Sequence, residues 1–182
     1  MKPVGPHFEL LTEKIAIDCE MMRSNIGQVV GRVSVINYES KTIFDTFVCY
    51  PEPIIIKNTE EKYSGISCDD IDPEKGALSF PEVQCHLLKL LSGRIVVGHD
   101  IRKDLNVISM NLPSQVQRLQ GCRRYLQFAS RDAHHGPSLK NLAKEVLGRP
   151  IKQSRVSSVE DAVATMELYR NAEADIEQEQ GK

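Results

Sequence analysis

Three β-type runs joined by short turns, all within residues 14–48, constrain this chain more than any other feature. Residues 14–21 are largely apolar, Gln28 to Tyr38 is β-branched and partly alternating, and Thr42 to Val48 repeats that character. Arg23 to Gly27 is a turn-rich connection, and Glu39-Ser40-Lys41 is a short hairpin turn. Consecutive strands with connections this short form an antiparallel meander, because parallel pairing needs a much longer crossover.

Further on, the periodicity changes. Ser79-Phe80-Pro81-Glu82 combines an N-cap serine, an early proline and a first-turn acid, which predicts a helix start. Val83, Leu87, Leu88, Leu90 and Leu91 supply its inward stripe, and Gly93 ends it. A short buried strand over 94–98 then feeds a helix that begins at His99 and runs to about Met110. A final strand is expected over Val116 to Leu119. Helices are expected from Pro137 to Leu147 and from Ser157 onward. Strand–helix alternation after a meander predicts a mixed α/β fold, with a five-stranded sheet flanked by helices. Residues 1–12 read as a lead-in and 13–171 as one domain. The acidic, Gln-rich stretch 172–182 reads as a flexible tail.

The first strand ends in Asp18-Cys19-Glu20-Met21. Strand period places Asp18 and Glu20 on one face, where two carboxylates repel unless a cation lies between them or water solvates them. Hard divalent ions take such oxygen ligands; an edge strand with two solvated acids fits this stretch equally well. Asp104 follows the strand 94–98, and Asp161 lies in the first turn of the last helix. Each alone is explained as a surface acid or as a partner of the helix dipole. Together they mark strand ends and helix starts, where open α/β sheets gather ligands.

Composition narrows the function classes. A net charge of −2 disfavours gripping a long duplex by its phosphates, but it is compatible with a nuclease whose metal ions supply positive charge. Five cysteines without CxxC spacing argue for a reducing, intracellular compartment, nuclear or cytoplasmic, and against a disulfide framework or a zinc site. No apolar run approaches the ~20 residues that span a bilayer, so no membrane role is expected.

The stretches Ile17 to Met21, Tyr63 to Ile66, Val97 to Asp104, Pro137 to Leu142 and Ser158 to Tyr169 carry a family resemblance over nearly the whole chain. The sequence resembles the DEDD superfamily of 3′→5′ exonucleases, histidine branch, which have a ribonuclease H-like fold. It is most similar to the interferon-stimulated and Rex-type RNA exonucleases. The resemblance implies that Asp18, Glu20, Asp104 and Asp161 bind two Mg²⁺ or Mn²⁺ ions. Such a pair activates the attacking water and stabilises the leaving 3′-oxygen. It implies further that Met21 and His99 meet the substrate. The implied activity is release of nucleoside monophosphates from the 3′ end of RNA or single-stranded DNA, with RNA favoured.

Three positions depart from the family pattern. The general-base histidine expected five residues before Asp161 is replaced by Val156. Serine stands at 157, so the tyrosine branch of the superfamily does not fit either. Glu60 stands where relatives carry an arginine, and it is expected to repel a phosphate; Gly121-Cys122 replaces a frequent Asp-Thr. These changes predict weakened catalysis, or the alternative of a catalytically impaired relative that binds nucleic acid or a protein partner. His134 or His135 would have to fold over the site to replace the missing base. Arg118, Arg123, Arg124 and Arg131 are candidates for phosphate contacts, or equally an ordinary solvated face.

Overall fold

The computed structural model describes residues 4–108, 118–121, 137–151 and 156–180. The meander is present as β1 (Lys14–Ser24), β2 (Gly27–Asn37) and β3 (Thr42–Cys49), paired antiparallel in that order. On the other side of β1, β6 (Ile95–Gly98) pairs parallel to it, and β7 (Arg118–Gly121) pairs parallel to β6. These five strands are the mixed sheet that the sequence predicts, with β1 at its centre. Two very short strands extend it. β4 (Ile56–Asn58) pairs with the end of β1, and β5 (Leu78–Ser79) pairs with β3.

Helices cover both faces. On one side, α2 (Phe80–Leu91) and α3 (Ile101–Val107) pack Val83, Leu87, Leu90, Leu91, Ile101 and Leu105 against Ile15, Ile17 and Cys19 of β1. On the other, α4 (Leu139–Val146) and α5 (Ser158–Gln180) pack Leu142, Met166 and Tyr169 against Ala16 and Val97. Odd-numbered residues of β1 therefore face α2 and α3, while Ala16, Asp18 and Glu20 face α5, as the strand period requires.

The local signals work as their chemistry predicts. Ser79 and Glu82 form a capping box at the start of α2, with Ser79 N donating to Glu82 Oε2 at 2.9 Å. Ser138 caps α4 by accepting from Asn141 N. Cys68–Ile71 is a 3₁₀ turn, closed by Ser67 and Asp70.

Several boundaries differ from the sequence reading. Helix α3 ends at Val107 rather than near Met110; β7 is described over Arg118–Gly121, and the expected start at Val116 lies outside the described residues. Tyr63 and Ser64 lie in a short helix, α1 (Glu61–Ser64), closed by Gly65 in the left-handed region. The tail expected to be flexible after Asn171 is instead helical as far as Gln180. Ile176 is buried within the core, and Glu173 accepts hydrogen bonds from Lys14 and from the Tyr38 hydroxyl. Its acidic and Gln-rich composition conceals the apolar anchor Ile176.

Candidate metal centre

The site forms where β1 runs out of the sheet. A β-bulge between Glu20 and Met21 breaks the register with β2, and bulges of this kind re-aim side chains at strand ends. Asp18 and Glu20 project toward α5, whose first turn delivers Asp161. One carboxylate oxygen from each of Asp18, Glu20 and Asp161 falls within a group no more than 4.8 Å across. All three line a cavity of about 600 Å³, together with Met21, His99 and Asp104.

Asp104 stands apart in its environment. It lies in the same cavity but outside the tight group of three, and its side chain is almost sealed from solvent. Burial above all, joined by the nearby Asp100 charge, pushes its carboxyl up to about 7. A hydrogen bond from the Cys19 backbone and the Lys103 charge oppose that rise. The Cys19 thiol is raised well above its ordinary value, first by burial and then by Asp104, Asp18 and Glu20. A thiol held protonated in this way is a poor metal ligand, so the acids are the donors that matter.

The donor set fits hard divalent cations. Such ions prefer carboxylate oxygen, and clustered carboxylates without a cation repel one another. Three acids converge at the end of the central strand, with a fourth beside them, as such a cation would require.

Most of the site residues expected from sequence meet here: Asp18, Glu20, Asp104, Asp161, Met21 and His99. Val156 lies half-buried just ahead of α5. The side chain of Arg118 and residues Arg123, Arg124, Arg131, His134, His135 and Cys122 lie outside the described residues. Glu60 does not stand as an open negative charge. Its Oε1 accepts from Arg23 Nε at 2.7 Å, and both line a smaller cavity that adjoins the acids through Glu20 and Met21. The pairing was missed because Arg23 and Glu60 are far apart in sequence, joined only when β4 pairs with the end of β1.

No protein-family model matches the chain. Individual proteins do. RNA exonuclease 4 of Candida glabrata is 35% identical over 174 residues, covering 92% of this chain and 63% of that protein. RNA exonuclease 4 of Neurospora crassa is 37% identical over 165 residues, and that of the mouse is 32% identical over 167, each covering close to nine tenths of this chain. Among solved structures, the pseudoubiquitin hydrolase–RNA exonuclease module of Saccharomyces cerevisiae Pan2, in complex with AACCAA RNA, superposes with a TM-score of 0.76 at 25% identity. That match covers 97% of this chain and 32% of the Pan2 chain. Over nearly its whole length the chain is similar to RNA exonucleases of the DEDD superfamily.

That likeness agrees with the ribonuclease H-like architecture and with the place of the acids. The Neurospora crassa Pan2 catalytic unit aligns over the same 97% of this chain, with a TM-score of 0.74. The chain spans between about a third and two thirds of the length of the curated relatives described above. No described helix is long and apolar enough to cross a membrane.

Proposed function

We propose that the protein is a metal-dependent 3′→5′ exonuclease that acts on RNA or single-stranded DNA ends, RNA favoured, and releases nucleoside monophosphates. The observation that carries this reading is the convergence of Asp18, Glu20 and Asp161 at the end of β1, in a chain with this likeness. Residues 13–171 form the catalytic domain in this reading. Asp18, Glu20, Asp104 and Asp161 hold two Mg²⁺ or Mn²⁺ ions. Bound ions of this kind acidify water and offset charge on a phosphate undergoing displacement.

The chain's own residues divide the remaining work. Met21 and His99 line the cavity beside the acids and hold the terminal nucleotide. The Arg23–Glu60 pair keeps the adjoining wall close to neutral, so Glu60 does not repel an incoming phosphate. Val156 has no group that moves a proton. General-base assistance is typically worth ~10²–10⁴ in rate, so turnover is slow rather than absent. The cysteines among the described residues are all free, which supports action in a reducing intracellular compartment.

Val156 favours a second reading, in which the domain binds nucleic acid or a protein partner without cleaving. A 3′-labelled single-stranded RNA with Mn²⁺ separates the two. Product above that of the Asp18→Ala variant, rising roughly 10²-fold or more in Val156→His, is the expected result. Equal product from the parent and Asp18→Ala removes the enzyme reading.

A further inference from the structure

Buried polar side chains link the middle of the sheet to the first residue of α5. Arg32 and Asp45 meet edge to edge, with Nε to Oδ1 at 2.9 Å and Nη2 to Oδ2 at 2.8 Å. Their side chains are only 7% and 3% exposed. Ser34 Oγ donates to Asp45 Oδ1 at 2.8 Å. Ser34 has one hydroxyl proton, and an ionised carboxylate only accepts. Ser158 Oγ must therefore be the donor in its 2.7 Å bond to Ser34 Oγ. The direction of every bond is fixed: Ser158 to Ser34, Ser34 to Asp45, and Arg32 to Asp45.

The strand register places this network beside the acids. Ser34 lies directly opposite Asp18 across β1 and β2, and Arg32 lies opposite Glu20. Asp45 lies opposite Ser34 across β2 and β3. Opposed residues in an antiparallel pair share a face, and this is the face that α5 covers. Ser158, fully buried, is the first residue of α5. Asp161 follows it at i+3, on the same side of the helix.

A buried ion pair contributes little net stability compared with apolar residues of the same size. Its value lies in direction. An apolar contact at Ser158 would tolerate rotation or sliding of the helix end, whereas a hydrogen bond to a fixed acceptor does not. Arg32 also neutralises Asp45, so the network adds no net charge behind the acids.

We propose that Ser158, Ser34 and Asp45 are positioning residues that set where the Asp161 carboxylate stands relative to Asp18 and Glu20. This rests on the reading of those acids as a metal site. Mn²⁺ affinity of the full chain, measured by the paramagnetic resonance signal of free Mn²⁺ without substrate, tests it. Ser158→Ala and Ser34→Ala are each expected to weaken Mn²⁺ binding about 10–100-fold, the usual effect of losing a residue behind the ligands. The double variant should be no weaker than the worse single one, because both remove the same bond. A purely structural role would lower the melting temperature yet leave Mn²⁺ affinity within about twofold of the parent, and that result overturns the proposal. Full additivity in the double variant overturns it too. If the parent binds no Mn²⁺, the metal-site reading falls and takes this proposal with it. Tight binding by the parent and by both serine variants removes only the positioning role.

Discussion

Replacing Ile176 by alanine tests the docking of the last helix most directly. The side chain is 1% exposed and belongs to the cluster formed with Tyr169 and Leu168. The substitution removes three buried carbons, worth roughly 2.4 kcal/mol at about 0.8 each. A cavity that relaxes only partly brings buried Ile→Ala changes to about 2–5 kcal/mol in general. For a domain of this size, each kcal/mol moves the melting midpoint by about 2–4 °C. A loss of roughly 4–20 °C is therefore expected in a thermal melt followed by far-ultraviolet circular dichroism. Asp175→Ala, one residue earlier and exposed, serves as the control and should change the midpoint little. An Ile176→Ala midpoint within about 2 °C of the parent would mean that the end of α5 is not docked. The reading of 172–182 as a loose tail would then be the better one.

Two further outcomes follow from particular contacts. Burial pushes the Glu173 carboxyl up, but the hydrogen bonds from Lys14 and Tyr38 outweigh it and leave the group below its ordinary value. Its contribution to stability is thus present above the ordinary carboxylate range and is lost as pH falls through the lowered value. Glu173→Gln should melt slightly below the parent at neutral pH, and the gap should close as the solution is acidified; a gap that widens in acid contradicts this sign. Gly98 ends β6 against the start of α3, where a Cβ would lie 2.7 Å from Ile101 Cδ1 and 3.1 Å from Ile101 Cα. Gly98→Ala should cost about 1–3 kcal/mol in urea unfolding and weaken Mn²⁺ binding by shifting the helix that carries Asp104. Unchanged unfolding and unchanged affinity would show that α3 moves away freely.

Much of the fold is legible in the sequence because its signals are local. The meander announces itself by β-branched runs and short turns, and the helix starts by Ser79, Ser138 and the acids that follow capping positions. What escapes is set by distance along the chain. β4 and β5 are only three and two residues long. They have no period to read and exist because a neighbouring strand offers them a partner. α5 extends beyond its visible apolar stripe because one isoleucine, set among acidic and polar residues, finds the core. The four acids are visible as residues, but only the fold brings Asp18, Glu20 and Asp161 within 4.8 Å of one another. Glu60 is the sharpest lesson. Judged alone, its charge opposes a phosphate, whereas Arg23 cancels it across a strand pairing that no local pattern announces.

The central place of β1 has a consequence for synthesis. The strand is made with Asp18 and Glu20 aboard before its parallel neighbour β6, which begins at Ile95, and Asp161 follows later still, in α5. A chain still on the ribosome, or cut short before that helix, can complete its hairpins while lacking the third carboxylate. The acidic group is thereby completed only after most of the sheet has been made, so the domain gains its third carboxylate late in its own folding.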